Sequence, residues 1–199
     1  MVFTLFLCSG SLYSQWGVRA GLNIATISDP EGVTEDVAEL TPILGMNFGL
    51  LFEIPLSERV SIQPEIHYIQ KGGKIDHIDE NFWIKDILNY LEISVLGNIY
   101  LFEFGDNARV FAGLGPHIGY ALKGMKEIDD NGHRESYETD FKSEEITRWD
   151  YGLGMAVGAK WGGFFADIRY NLGLSNLNEF DYDPKFYHRG LLLGVGYQF

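Results

Sequence analysis

The chain has 199 residues and a formal net charge of −13, from 28 acidic and 15 basic residues. This length suits one domain, and the acidic balance disfavours a nucleic-acid partner, which requires a basic surface. The composition includes 24 glycines, 15% aromatic residues and a single cysteine, Cys8, which excludes an intrachain disulfide. No run approaches the ~20 apolar residues that a transmembrane helix needs.

The first residues form a short apolar run followed by small and polar residues. This pattern predicts the remnant of a secretory signal peptide in residues 1–15, cut near Ser14 or Gln15, ahead of one domain in residues 16–199. No Lys or Arg precedes Arg19, so the positively charged start of a signal peptide is missing. An ordinary apolar first strand is the alternative.

Eight segments alternate apolar residues with polar or small ones, which is the period of a half-buried strand. In the last segment, Leu191, Val195 and Phe199 share one face, opposite Gly194 and Gln198. Each segment approaches or exceeds the ~9–11 residues that a tilted membrane strand needs. The predicted strands are 16–25, 44–54, 59–71, 88–101, 109–122, 147–161, 164–172 and 189–199.

The connections between these strands alternate between long and short. The long ones contain 20 acidic and 7 basic residues, which accounts for the whole net charge. They are 26–43, 72–87, 123–146 and 173–188. Long external loops and short periplasmic turns are typical of outer-membrane barrels. The sequence therefore predicts an all-β, eight-stranded antiparallel up-and-down transmembrane β-barrel in the outer membrane, with both termini periplasmic.

One face of the predicted strands carries apolar and aromatic residues, as lipid contact requires, and the other face carries charges. An eight-stranded barrel has an interior just wide enough for side chains, and buried charges are tolerated when they are paired. Five acids against five bases on the inner face therefore predict a neutral charge network that plugs the lumen. Its members are Arg19, Glu53, Glu65, Glu92, Arg109, Arg148, Asp150, Lys160, Asp167 and Arg169.

No common enzyme motif occurs, neither a P-loop, a Gly-x-Ser-x-Gly elbow, a His-Glu-x-x-His nor a Cys-x-x-Cys. The sequence predicts no catalytic residue, no cofactor and no metal site. His67 and His117 fall on the inner face and His188 at a strand margin, where hydrogen bonding in the lumen is the expected role. Asp129-Asp130-Asn131-Gly132 and Asp181-Tyr-Asp183 offer oxygen ligands for Ca²⁺, but Asp-Asn-Gly is an ordinary turn, so only weak divalent-cation binding is expected in the loops.

Several segments resemble the PorT-like outer-membrane β-barrel domain, and the resemblance runs over about residues 16–199. The most specific are Gly-x-x-Ala-Gly-Leu-Asn at 17–23, Ser61-Ile-Gln-Pro-Glu65 followed by Tyr68, and Tyr90-Leu-Glu-Ile93. The resemblance implies an eight-stranded barrel in the outer membrane of a Gram-negative cell. The namesake of the family is associated with protein secretion across that membrane, and most relatives have no assigned activity.

Together these patterns predict a non-enzymatic, monomeric outer-membrane barrel that contacts lipid, with a plugged lumen, acidic external loops and a structural or surface-interaction role. The alternative is an accessory component of a protein secretion or envelope-assembly machine, which would have a protein partner. A soluble barrel around a lipophilic ligand would need an apolar interior, and the inward charges disfavour it.

Overall fold

The described part of the chain is an antiparallel sheet. A computed structural model describes residues 15–28, 38–77, 81–105, 108–143, 146–178 and 185–199. Residues 1–14, which hold nearly all of the predicted signal peptide, lie outside these ranges. The strands are β1 (Gln15–Ser28), β2 (Ala38–Thr41), β3 (Ile43–Pro55), β4 (Val60–His77), β5 (Phe82–Phe104), β6 (Ala108–Asp130), β7 (His133–Glu138), β8 (Trp149–Trp161), β9 (Phe164–Gly173) and β10 (Tyr187–Gln198).

Eight of the described strands close into a ring, in the order β1, β3, β4, β5, β6, β8, β9 and β10. The ring is complete because β1 pairs with β3 on one side and with β10 on the other, both antiparallel. Apart from this seam, strands that pair in the ring follow one another along the chain, if the short strands β2 and β7 are left out of the count. The predicted fold class, an eight-stranded up-and-down barrel, is confirmed.

The barrel wall is apolar outside and polar inside, because successive side chains of a strand point to opposite faces. In β5, Leu91, Ile93 and Val95 are 42%, 52% and 40% exposed, whereas Glu92 between them is 2% exposed. Large aromatic side chains on the outer wall gather near the strand ends, as in the aromatic girdles of membrane barrels. They include Trp16, Tyr151, Trp161, Phe164, Tyr197 and Phe199.

One end of the barrel carries the short connections, and we call it the turn end. There Leu56 and Ser57 donate their backbone N–H groups to the carbonyl of Val60, which closes the β3–β4 turn. The β8–β9 turn contains Gly162 with φ of +59°, a conformation that favours glycine. Both ends of the strand sequence meet here, since the backbone N–H of Phe199 donates to the carbonyl of Trp16 at 2.8 Å.

At the opposite end, β4, β5 and β6 continue beyond the ring and, with β2 and β7, form a sheet that we call the extension. The β5–β6 pairing runs from Phe104 opposite Ala108 to Phe82 opposite Asp130. Residues 82–87 alone add roughly 20 Å of strand. The prediction of loops over 72–87 and 123–146 was therefore wrong for the described residues, most of which are paired strand.

Within the ranges given above, no helix is long and apolar enough to cross a membrane.

Candidate functional site: the charged interior of the barrel

Charged and polar side chains fill the lumen. Along each strand they alternate with the apolar side chains of the outer wall. Room for these long side chains comes partly from glycine. A Cβ atom added at Gly194 would lie 2.2 Å from Nη2 of Arg19 and 2.3 Å from Oδ1 of Asp167. The charges fall into three groups, which occupy successive levels between the turn end and the extension.

The central cluster consists of Arg19, Glu65, Asp167 and Arg169, with His67 beside it. Arg169 donates two hydrogen bonds to Glu65, at 2.6 and 3.1 Å, and a third to Asp167 at 3.1 Å. Arg19 donates to the other oxygen of Asp167 at 2.7 Å. Nε2 of His67 lies 2.5 Å from Glu65. Two guanidinium groups thus face two carboxylates, and the cluster is neutral when His67 is neutral.

The turn-end cluster is built around Glu53 of β3. Its carboxylate accepts hydrogen bonds from Ser61 at 2.6 Å and from Gln198 at 2.9 Å. The hydroxyl of Tyr100 and the ammonium of Lys160 also donate to it. This cluster pairs one negative with one positive charge, and its Lys160 ties β8 to β3 across the ring.

The extension-end cluster consists of Lys71, Glu92, His117 and Asp150. The Lys71 ammonium donates to Glu92 and, at 2.6 Å, to Oδ2 of Asp150. Ser175 donates to the other oxygen of Asp150 at 2.7 Å. Nε2 of His117 lies 3.9 Å from Oδ2 of Asp150.

An apolar layer lies beside this last cluster at the extension end of the lumen. Tyr90 is completely buried there, and its hydroxyl group lies 3.2 Å from Nε2 of His188. A cavity of about 10 Å³ borders Ile69 and His188 here, with room for about one water molecule. The layer comprises Ile69, Leu88, Tyr90, Ala121, Phe141 and Leu192.

Eight of the ten residues predicted for the lumen network lie in these clusters, and two lie elsewhere. Arg109 is exposed at the turn end, where Nε lies 3.3 Å from Glu103 and both side chains are at least half exposed. Arg148 donates to the backbone carbonyl of Ala121 at 3.1 Å and packs 4.1 Å from the ring centre of Phe141. Arg109 is the second residue of β6 and Arg148 directly precedes β8. At such positions the alternation predicts which face a side chain takes but not its depth along the barrel.

Lys71 is a lumen charge that does not belong to the predicted network. It is 4% exposed and was not counted because it closes the predicted strand 59–71 beside an acidic connection. It has the same parity as Glu65 and His67, and this signal could have placed it inside. Among the described lumen residues, five carboxylates therefore face four Lys and Arg cations instead of the predicted five.

The second Asp motif lies outside the described residues, since residues 179–184 are not among them. The first is a turn. Asp129 accepts a hydrogen bond from the backbone of Gly132 at 3.0 Å and one from Arg134 at 2.7 Å, and Asn131 and Gly132 have positive φ angles. Its carboxylate is thus engaged by the hairpin itself.

Comparison with known proteins assigns a family to this barrel. A family model described as outer membrane protein beta-barrel domain matches residues 9–179. The chain belongs to this family. It is thus an outer-membrane β-barrel protein. No curated protein matches the chain.

Solved structures similar to this family member include small outer-membrane proteins. Ail of Yersinia pestis, solved with the heparin analogue sucrose octasulfate, is 13% identical, with a TM-score of 0.45 over 94% of this chain and 100% of Ail. Neisserial surface protein A is 13% identical, with a TM-score of 0.44 over 94% and 99%. OprG of Pseudomonas aeruginosa is 12% identical, with a TM-score of 0.46 over 96% and 98%.

Proposed function

We propose that this protein is a non-enzymatic, monomeric outer-membrane barrel with a plugged lumen, which holds the extension outside the cell for contact with other molecules. The observation that carries the proposal is the set of three ion clusters stacked through the lumen. In this arrangement both termini are periplasmic, the outer wall contacts lipid, and the acidic surface leaves no role for nucleic acid.

The clusters plug the lumen because separating their buried ion pairs costs free energy. Arg169 of β9 donates two hydrogen bonds across the lumen to Glu65 of β4, and a third to Asp167 on its own strand. Removing one partner of a buried ion pair costs about 3–5 kcal/mol, because it leaves an uncompensated charge. An ion crossing the barrel would have to separate such pairs at three levels in turn.

The proposal that the protein is not an enzyme is supported by the geometry of a group, among the described residues, that resembles a nucleophile with its base. The Ser94 hydroxyl lies 3.5 Å from Nε2 of His67, and Glu65 lies 2.5 Å from the same nitrogen. A serine relay uses the two ring nitrogens separately, one for the serine and one for the acid. All three side chains are also buried in the lumen, away from any substrate.

The alternative is that the protein is an accessory component of a secretion or envelope-assembly machine. The PorT-like segments favour it, and so does the extension, whose strand β7 is fully exposed and gives a partner a surface. Cells that lack the protein would then accumulate exported proteins in the periplasm. Normal export in such cells would leave the surface role as the better account.

Conductance in planar bilayers tests the plug directly. The wild-type protein is expected to give no steady current steps. A variant that combines Glu65→Ala with Arg169→Ala removes the main pair of the central cluster and is the matched control for a widened lumen. Regular single-channel steps from the wild-type protein would contradict the proposal, because they would require water-filled space between the clusters.

A further inference from the structure

The three lumen clusters differ in charge. The central cluster has two carboxylates and two guanidinium groups, and the turn-end cluster has one carboxylate and one ammonium. In the extension-end cluster, two carboxylates, Glu92 and Asp150, face a single Lys or Arg cation, Lys71. The missing positive charge of the described lumen therefore falls at this one place.

The side chain of His117 points to the same place and lacks hydrogen-bond partners. It is 5% exposed, and neither ring nitrogen has a hydrogen-bond partner. Leaving a buried polar group without a hydrogen bond costs about 1–3 kcal/mol. One ligand atom each of Glu92, His117 and Asp150 lie within 4.8 Å of one another, and the cavity of about 10 Å³ borders His117 and Asp150.

We propose that Glu92, His117 and Asp150 form a binding site for a divalent transition-metal ion of the Zn²⁺ class. One imidazole and two carboxylates are ligands that such ions accept. Tetrahedral bonds of about 2.1 Å place ligand atoms about 3.4 Å apart, so the three side chains would close in by about 1 Å. A water molecule in the adjoining cavity would supply the fourth ligand.

Lys71 marks the cation position and also competes for it. Its ammonium contacts both carboxylates, which is where a metal ion would bind. The ring centre of Tyr90 lies 5.2 Å from the same ammonium, so a displaced Lys71 has a second favourable contact through the face of that ring. Retaining a positive charge beside the metal weakens binding, and the side chain of Lys71 therefore sets the affinity.

The sequence analysis predicted no metal site because these ligands have no motif spacing. Glu92, His117 and Asp150 come from β5, β6 and β8, and only the closed ring brings them together. The alternation of each strand predicted an inward side chain but not which inward residues share a level.

Co²⁺ is the probe, because its visible absorption distinguishes a protein site with nitrogen and oxygen ligands from the hydrated ion. The full-length protein without an affinity tag is refolded in detergent with Co²⁺ present, since the folded lumen is closed. Heat-modifiable migration on gels checks that each variant folds. We expect Lys71→Met to bind Co²⁺ at least tenfold more tightly than the wild-type protein. Adding His117→Leu to Lys71→Met is expected to weaken binding at least tenfold.

His67→Gln is the matched control, because His67 is also buried in the lumen but belongs with the central cluster, and it should leave Co²⁺ affinity unchanged. If Lys71→Met folds only when Co²⁺ is supplied, that dependence also supports the site. The proposal is overturned if neither the wild-type protein nor Lys71→Met acquires the bound-ion spectrum. It is equally overturned if His117→Leu does not change the affinity.

Discussion

Individual lumen side chains differ in how much the fold depends on them, and Arg169 is the strongest case. It makes three hydrogen bonds to Glu65 and Asp167. Arg169→Met is expected to lower the free energy of unfolding by about 3–5 kcal/mol, because it leaves buried carboxylates with too few cations. Denaturant unfolding in detergent, followed by tryptophan fluorescence, measures the change.

Arg109→Met is the matched control for that variant. Arg109 pairs with Glu103 in water at the turn end, and exposed pairs contribute about 0–1 kcal/mol. Equal losses in the two variants would mean that the central cluster does not hold the barrel together.

The sequence predicts which side chains face the lumen, but not the position of each one along the barrel axis. Alternation along β4 carries enough information to place Glu65, His67 and Lys71 on one side, because every second side chain of a strand faces the same way. It could not exclude Arg109 and Arg148, since depth depends on the tilt and stagger of the closed barrel. The partners of each charge depend on the same two quantities.

Asp129 in the extension gives a pH-dependent prediction. The hydrogen bond from Arg134, followed by that from the backbone of Gly132, lowers the pKa of the Asp129 carboxyl group. Because its pKa is lower in the folded protein, the Asp129 carboxylate stabilises the hairpin fully at pH values above the ordinary pKa range of Asp. This stabilisation is lost as the pH falls through the lowered pKa. Nuclear magnetic resonance of the carboxyl carbon should show Asp129 titrating below the ordinary Asp range.

Arg134→Gln should move the pKa of Asp129 back toward its ordinary value. Arg59→Gln, at the turn end, is the control and should not change it. If Arg134→Gln leaves the pKa of Asp129 unchanged, the hydrogen bond from Arg134 does not persist in solution.

Among the elements, the extension depends on a row of isoleucines across three strands. Ile75 pairs with Ile84, and Ile84 pairs with Ile128. Cross-strand apolar pairs contribute roughly 0.2–1 kcal/mol each. Ile84→Gln is therefore expected to destabilise the extension by about 1–2 kcal/mol, and hydrogen exchange of the β5 amides in residues 82–90 should become faster.

Lys85→Gln provides the comparison for Ile84→Gln. Lys85 is the next residue on β5 but lies on the other face, in a partly exposed ion pair with Glu127. Lys85→Gln should change the hydrogen-exchange rates of the β5 amides little. Neither variant should alter the heat-modifiable migration of the barrel. Identical exchange in both variants would refute the role of the isoleucine row.

The sequence predicted the barrel strands well and the extension poorly, for a physical reason. Within the bilayer, lipid outside and charges inside impose the strong contrast seen at Leu91, Glu92 and Ile93. The extension lacks this contrast, because its strands carry charges on both faces, as at Lys85 and Asp86, and their sequence therefore resembles that of acidic loops. The Asn131-Gly132 pair was the available hairpin signal, and it does form the turn between β6 and β7.

The orientation of the whole molecule is testable with the single native cysteine removed. In a Cys8→Ser background, Glu135→Cys places a thiol on exposed β7, and Glu58→Cys places one in an exposed turn at the other end. Because long connections of outer-membrane barrels face outward, a membrane-impermeant maleimide should label Glu135→Cys on intact cells. Glu58→Cys should react only after the outer membrane is permeabilised, and the reverse pattern would invert the proposed topology.

The seam between β1 and β10 joins the first and last described strands, pairing Gly17 with Gln198 and Ser28 with Tyr187. Until this seam forms, both strands present open backbone edges, and each unsatisfied peptide group in hydrocarbon costs several kcal/mol. Only two routes remove that cost: completing the ring, or covering each edge with a strand from another protein. The cell must therefore insert this chain already curled into a cylinder, or deliver it with an assembly factor whose own strands occupy both edges until they meet.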